Sequence, residues 1–299
     1  MKALKLFFII LFILCSCNKE EQNNNKIIFK DDIGNTITLN KSPKRIITLA
    51  PNLTEIIFDL KLDKYLVGNT LYCNFPEQAN KIEKVGDMIN FDFEKIISLK
   101  PDLIFITVEG NTKEAYNKFN ELGLKVFVSN PRNISGIKKT YLDIAKILGA
   151  ETLAKINISL RDSLIAKISR AAKNYERKSV MYLVELQPLM LAGKNTFINE
   201  YLEICGLENI AKDVNINYPI FNREEILKRN PDIIIIPDDG IITKQKILEL
   251  YPEWKNLKAI NNNKVIFVNR DLFSRPGPRY ADAVKELFIT LHPQEKDLR

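Results

Sequence analysis

Histidine is almost missing from this chain: its 299 residues hold one, His292, next to Pro293 near the C-terminus. Sites for free zinc or manganese draw on several histidines together with carboxylates, so a bare-metal receptor is disfavoured. The signatures GxSxG, HExxH, SxxK and the P-loop are absent too, and no catalytic constellation is visible. An exported enzyme is therefore the weaker alternative, and no cofactor of the protein's own is expected. Cysteine is scarce: the four at positions 15, 17, 73 and 205 form neither a CxxC pair nor a regular disulfide framework. Two belong to the leader, and Cys73 and Cys205 are read as free thiols. Charge of one sign is lacking as well. The 44 basic residues outnumber 37 acidic ones, a formal excess of +7 from which Lys2 and Lys5 drop out with the leader. Lysines alternate with Glu and Asp, without the basic stripe and stacking aromatics of a nucleic-acid groove.

Long apolar runs are short of membrane length. Leu6 to Leu14 give nine consecutive apolar residues, against the roughly 20 that a spanning helix needs. With Lys2 and Lys5 ahead of it, this is a signal-peptide layout over residues 1–16. The phrase Leu14-Cys15-Ser16-Cys17 resembles a bacterial lipobox, which implies acylation of Cys17 after cleavage. Each buried CH₂ of an acyl chain adds about 0.8 kcal/mol of membrane affinity, and several chains make a stable anchor. Residues 17–25 continue as a polar, unpatterned tether. The expected address is periplasmic or at the cell surface, membrane-anchored by lipid.

From Lys26 onward short β-rich runs alternate with helical ones, the pattern of an α/β protein with mainly parallel sheets. Candidate strands are Arg45–Leu49, Asp102–Thr107, Lys125–Val128, Ser179–Val184, Asp232–Ile236 and Lys264–Val268. Between Glu151 and Glu176, apolar residues recur at Leu153, Ile156, Leu160, Leu164, Ile168 and Ala172, one face of a helix. At 1.5 Å per residue such a helix would be roughly 39 Å long, fit to connect a lobe at 26–150 with one at 177–299. An internal echo supports the division: FDFEKIISLKPDLIFI at 91–106 and FNREEILKRNPDIIII at 221–236 share seven of sixteen positions. In each, Asp92 or Asn222 can cap a short helix, Pro101 or Pro231 stops it, and an apolar strand follows.

These residues resemble the class III periplasmic binding proteins, which serve ABC importers of cobalamin, haem and ferric siderophores. The similar phrases are Arg45-Ile46-Ile47-Thr48-Leu49-Ala50-Pro51 with Thr54-Glu55, Tyr72-Cys73-Asn74-Phe75-Pro76, the LKPD and RNPD units, Gly193-Lys194, Cys205-Gly206 with Glu208-Asn209-Ile210, and Arg275-Pro276-Gly277-Pro278-Arg279. The resemblance implies two Rossmann-like lobes joined by one long interdomain helix, with a bulky metal chelate in the cleft. It also implies an ABC permease dimer with its ATPase as partner, and a monomeric binding protein. The RPGPR loop, the amphipathic final helix and Leu291-His292-Pro293 resemble members assigned to corrinoids, which favours cobalamin over a ferric siderophore or haem.

The candidate ligand-binding residues are Pro51, Asn52, Tyr72, Phe75, Met88, Tyr218, Phe273, Arg275 and Arg279. Asn52 and Glu55 have capping-box spacing, which would leave helix N–H groups facing a ligand. Tyr72, Phe75, Tyr218 and Phe273 sit in loops where ring faces could grip a flat macrocycle. By resemblance, Tyr72 and Tyr218 match aromatic cleft positions of the cobalamin binder, whereas Met88, Thr107 and Leu272 stand where it has tryptophans. Arg275 and Arg279 could reach carboxylates or phosphates in the cleft, or pair between lobes. Glu94 and Glu224 occupy equivalent first-turn places in the echo, and in the family such a glutamate on each lobe docks onto permease arginines. For haem, Tyr72 is the evident axial candidate.

Overall fold

The computed structural model describes residues 26–238 and 240–295. The leader, the lipidation at Cys17 and the tether lie outside the described residues. The chain opens with a hairpin, β1 (Ile27–Lys30) antiparallel to β2 (Thr36–Leu39). Then follow β3 (Ile46–Thr48), β4 (Leu66–Asn69), β5 (Leu103–Thr107) and β6 (Val126–Ser129), which lie side by side in the order β4-β3-β5-β6 with every pair parallel. The C-terminal half holds β7 (Ser179–Glu185), β8 (Met190–Leu191), β9 (Glu208–Asn209), β10 (Ile233–Asp238) and β11 (Val265–Asn269). Here β11, β10 and β7 run parallel, β9 lies parallel along the start of β7, and β8 turns back antiparallel against its end. The result is an α/β fold with two mainly parallel sheets. All six strands expected from the sequence form; the short β1, β2, β4, β8 and β9 were not among them.

Parallel strands covered on both faces must be apolar at successive positions, because alternate side chains enter different cores. In the first sheet Ile46, Leu103, Phe105 and Phe127 enter one core, while Ile47, Ile104, Ile106, Val126 and Val128 enter the other. The second sheet repeats the scheme, with Val180, Tyr182, Ile233 and Ile235 on one face and Met181, Leu183, Ile234 and Ile236 on the opposite one.

The helices that matter below are α1 (Pro51–Asp59), α2 (Phe93–Ser98), α3 (Lys113–Glu121), α4 (Ile134–Leu148), α5 (Glu151–Ala172), α6 (Phe197–Ile204) and α7 (Arg223–Arg229). The sequence echo is a structural one. Asp92 caps α2 by accepting the Lys95 N–H at 2.9 Å, and Asn222 caps α7 by accepting the Glu225 N–H at 2.7 Å. Lys100 and Asn230, each just before the proline, are left-handed with φ of 46° and 42°. The aspartate after each proline then fastens the neighbouring strand: Asp102 accepts the Lys44 and Arg45 N–H groups at 2.8 and 2.9 Å, and Asp232 accepts the Ser179 N–H at 3.0 Å.

Helix α5 is shorter than the sequence suggested, ending at Ala172 rather than Glu176. Its inward face agrees with the expected one at Leu164, Ile168 and Ala172 and differs in the first half. Ile156 and Leu160 are 53% and 67% exposed, and the inward seam runs through buried Ala154, Ile168 and Ala172 with partly buried Ile158, Leu164 and Ile165. Small Ala154 lets the helix approach the first core, where a leucine would stand it off. The first half of α5 packs on the core of the N-terminal sheet through Ala154 and Ile158, and the second half on that of the C-terminal sheet through Ile165, Ile168 and Ala172. Polar ties follow the same seam. Arg161 pairs with Asp59 of α1 at 2.8 Å, while Asn157 donates to Asp59 at 3.1 Å and to the Tyr141 hydroxyl at 2.9 Å. Tyr141 in turn donates to Asp59, and its hydroxyl is pushed up to about 12, first by burial and then by that carboxylate.

Truncating a buried aliphatic side chain removes transfer energy and leaves a cavity. Ile168→Ala is expected to cost about 2–5 kcal/mol in urea unfolding, whereas Leu160→Ala should stay within about 0.5 kcal/mol. Equal losses at both positions would refute the seam assigned to α5.

Candidate functional site

In open parallel sheets, ligands collect beyond the carboxyl ends of the strands, where successive loops leave a crevice. Here the loops after β3, β4 and β5 face the segment after β11 across a cleft of about 320 Å³. The N-terminal half contributes Pro51, Asn52, Tyr72, Met88, Thr107, Glu109 and Gly110; the C-terminal half contributes Arg270, Asp271, Ser274, Arg275 and Pro276. Five of the residues expected from the sequence, Pro51, Asn52, Tyr72, Met88 and Arg275, thus come together.

The local reasons are specific. Pro51 occupies the first helical position of α1, where its missing N–H costs nothing. The N-cap is Ala50, without a side-chain bond, so Asn52 lies inside the helix and the expected capping box does not form. Instead Asn52 donates to the Pro276 carbonyl at 3.2 Å. Asn111 knits the wall together, accepting from the Thr107 N–H at 2.9 Å and donating to the Leu49 and Met88 carbonyls at 2.9 and 3.0 Å. A Cβ at Gly110 would fall 2.2 Å from Met88 Cε, so a larger residue there would make the flexible thioether shift. Tyr72 is 57% exposed, a ring offered to the crevice.

The arginines do something other than wait for a ligand. Glu55, its side chain 2% exposed, receives Arg275 at 2.9 Å and a two-pronged bond from Arg279 at 2.8 and 2.7 Å. Arg275 also pairs with Asp271 at 2.7 Å and donates to the Tyr72 carbonyl at 3.2 Å. The pairing between halves wins because a desolvated carboxylate between two guanidiniums cannot be left unmatched. The same boundary is crossed by Asn74, which donates to Asp271 at 2.9 Å. Gly277 makes a close approach: a Cβ there would meet Asn52 Cβ at 3.2 Å, so the neighbour would have to give by a few tenths of an ångström.

Other expected ligand residues are placed elsewhere. Phe75 stacks under Arg279, 3.9 Å from the guanidinium, and both line a separate pocket with Glu55, Phe58 and Asp59. Phe273 is wholly buried in the C-terminal core, since its helix turns it inward against Tyr182 and Tyr280, and it cannot touch a ligand. Tyr218 is half-buried on that same core; burial raises its hydroxyl, with the charge of Arg132 pulling the other way. Arg132 pairs with Glu109 on the cleft wall. His292 stacks on Tyr175 at 3.6 Å, far along the chain's last helix and outside the cleft lining. Among the described residues no group of three or more His, Cys, Asp and Glu could hold a metal ion, and no helix is long and apolar enough to cross a membrane. Cys73 and Cys205 are buried free thiols, with burial pushing Cys205 well up.

Sequence reasoning missed Glu109, Gly110, Arg270, Asp271 and Ser274 as cleft residues. Their signal was positional: each follows closely on the carboxyl end of β5 or β11. Glu94 and Glu224 are exposed in the first turns of α2 and α7 and pair with no basic side chain among the described residues.

A family model described as periplasmic binding protein matches residues 46–272. The chain belongs to the periplasmic binding proteins. This is a family of substrate-binding transport proteins, as the motif phrases implied. The chain is 34% identical over 271 residues to an uncharacterised ABC transporter substrate-binding lipoprotein, YvrC, of Bacillus subtilis strain 168, covering 88% of this chain and 85% of that one. It is 32% identical over 247 residues to a vitamin B12-binding protein of Salmonella typhimurium strain LT2, covering 81% and 88%. The crystal structure of a possible iron-binding, periplasmic solute-binding protein from Staphylococcus epidermidis superposes with a TM-score of 0.75 at 28% identity, covering 84% of this chain and 100% of that one.

Removing one partner of a buried ion pair strands the other charge, at a cost of about 3–5 kcal/mol. Glu55→Ala is expected to lower unfolding stability by that much, measured in urea. A loss under about 1 kcal/mol would mean that the clamp between the halves is solvated and inert.

Proposed function

We propose that this protein is an exported, lipid-anchored substrate-binding protein of an ABC importer, which captures cobalamin between its two halves and hands it to the permease. In this reading residues 26–150 and 177–299 form the two lobes, with α5 as the connecting rod. The observation that carries the ligand choice is the charge balance of the cleft. The charged side chains of the lining are Glu109 and Asp271 against Arg270 and Arg275, two of each sign; Arg275 is matched by Glu55 and Asp271, and nearby Arg132 by Glu109. These guanidiniums are already committed, which disfavours a guest with several carboxylates or catecholates and suits one of little net charge. A corrinoid has that character: amide-fringed edges for hydrogen bonds and a broad face for the Tyr72 ring and the Met88 thioether. It is too bulky to be enclosed in about 320 Å³, so it sits at the mouth with part of its surface towards the permease. The vitamin B12-binding relative supports the choice. A ferric siderophore is the second reading, favoured by the iron-binding description of the Staphylococcus epidermidis neighbour.

Glu94 and Glu224 are the proposed docking points. They stand on equivalent capped helices of the two halves, exposed, as contact with a two-fold permease requires. Cys17 is the proposed acylated residue, in line with the lipoprotein name of the relative from Bacillus subtilis.

Calorimetry decides the ligand: cyanocobalamin is expected to bind with a Kd below about 1 μM, or roughly −8 kcal/mol, and Tyr72→Ala to weaken it about tenfold. Saturable binding of a ferric hydroxamate or of haemin, with none of cyanocobalamin, would replace this reading with the second. For docking, Glu94→Lys with Glu224→Lys is expected to abolish uptake in cells while leaving calorimetric affinity within twofold; unimpaired uptake would remove both residues from the interface.

A further inference from the structure

Loop 70–83 carries Tyr72 into the cleft, and much of its hold on the frame passes through one ammonium group. Lys84 Nζ points into the loop and donates to Asn69 Oδ1 at 2.8 Å, the Cys73 carbonyl at 3.0 Å, the Ala79 carbonyl at 3.1 Å and the Thr70 carbonyl at 3.2 Å. Four oxygens surround three N–H bonds, so one proton is shared. No carboxylate stands within ion-pair distance of Nζ among the described residues; neighbouring Glu83 is taken by Lys95 at 2.5 Å. The charge is met by carbonyl dipoles alone, and burial lowers the ammonium's affinity for its proton. Such an arrangement is what a bound cation would make, except that this cation is tethered to the chain.

The neck of the loop is closed by backbone bonds, from Asn69 N to Glu83 O, from Val85 N to Asn69 O and from Leu71 N to Gly86 O, each 2.9 Å. Beyond the neck, Lys84 bridges Cys73 on the outgoing limb and Ala79 on the returning one. Between Thr70 and Ala79, both held by Lys84, lie the Tyr72 ring and carbonyl, Asn74 and Phe75, which meet the cleft, Arg275, Asp271 and Arg279.

We propose that Lys84 is a positioning residue for ligand capture: its ammonium, caged by loop oxygens, holds the Tyr72 ring at the cleft wall. The proposal rests on the cleft being the ligand site, and it does not depend on which guest is bound. Lys84→Met keeps the length and the apolar stem and removes the donors.

In the unliganded mature protein, hydrogen–deuterium exchange of amides 71–79 in Lys84→Met is expected to quicken at least tenfold, with β7 and β10 unchanged. Lys84→Gln, which restores donors on a shorter arm, should recover part of the protection. Cyanocobalamin binding by Lys84→Met should weaken about tenfold. Because Lys84 acts through Tyr72, the double variant with Tyr72→Ala should bind within twofold of Tyr72→Ala alone. Unchanged exchange at 71–79 would overturn the proposal, as would losses that multiply in the double variant. If wild-type protein binds no cyanocobalamin, the ligand reading fails while the exchange result still decides the role of Lys84.

Discussion

Two hydrophobic cores share one helix, and the geometry of the cleft depends on that sharing. Helix α5 cannot slide or tilt to suit one sheet without unpacking Ala154 and Ile158 from the first core or Ile165, Ile168 and Ala172 from the second. Close-packed interiors resist such shifts because even a missing methylene is felt. The polar seam reinforces the constraint, since Asp59 takes bonds from Tyr141, Asn157 and Arg161 at the same time. The separation of the two halves is therefore set by packing at the back, and the crevice at the front is what remains.

The front is fastened by the opposite kind of interaction. Glu55 is a desolvated carboxylate whose burial is tolerable because two guanidiniums from the other half enclose it. Hydrophobic contact would join the halves without regard to register. A fork of directed bonds specifies where the loop 275–279 must sit over α1, down to the close approach of Gly277 to Asn52.

The architecture was legible because its signal is repetitive. Strands buried on both faces leave continuous apolar runs, and the Pro-Asp phrases recur with the same capped helix before and the same apolar strand after. The short strands escaped notice, β8 and β9 having two residues each, too few for any period to show. The first half of the α5 face was misjudged because leucine and isoleucine outweigh alanine in a hydrophobic pattern, while Ala154 is what close contact demands; Leu164, Ile168 and Ala172 were read correctly. The site was half legible. Pro51, Asn52 and Tyr72 could be named from their phrases and Met88 from its place in the resemblance, yet the fate of Arg275 and Arg279 turned on Glu55, more than two hundred residues away along the chain. Phe273 looked like a loop aromatic, and no local feature betrays that its short helix faces the core.

Tyr72 plays two parts through different atoms. Its ring faces the crevice, while its carbonyl oxygen accepts from Arg275. Likewise Asn52 reaches across to the carbonyl of Pro276. Main-chain oxygens are present whatever the residue, so the acceptors at 72 and 276 survive exchange of those side chains, provided that the donors Arg275 and Asn52 are kept. In the proposed reading, selectivity can drift at the ring of residue 72, or at Met88 and Thr107, with the clasp left whole. On that reading a single chassis is free to change its cargo.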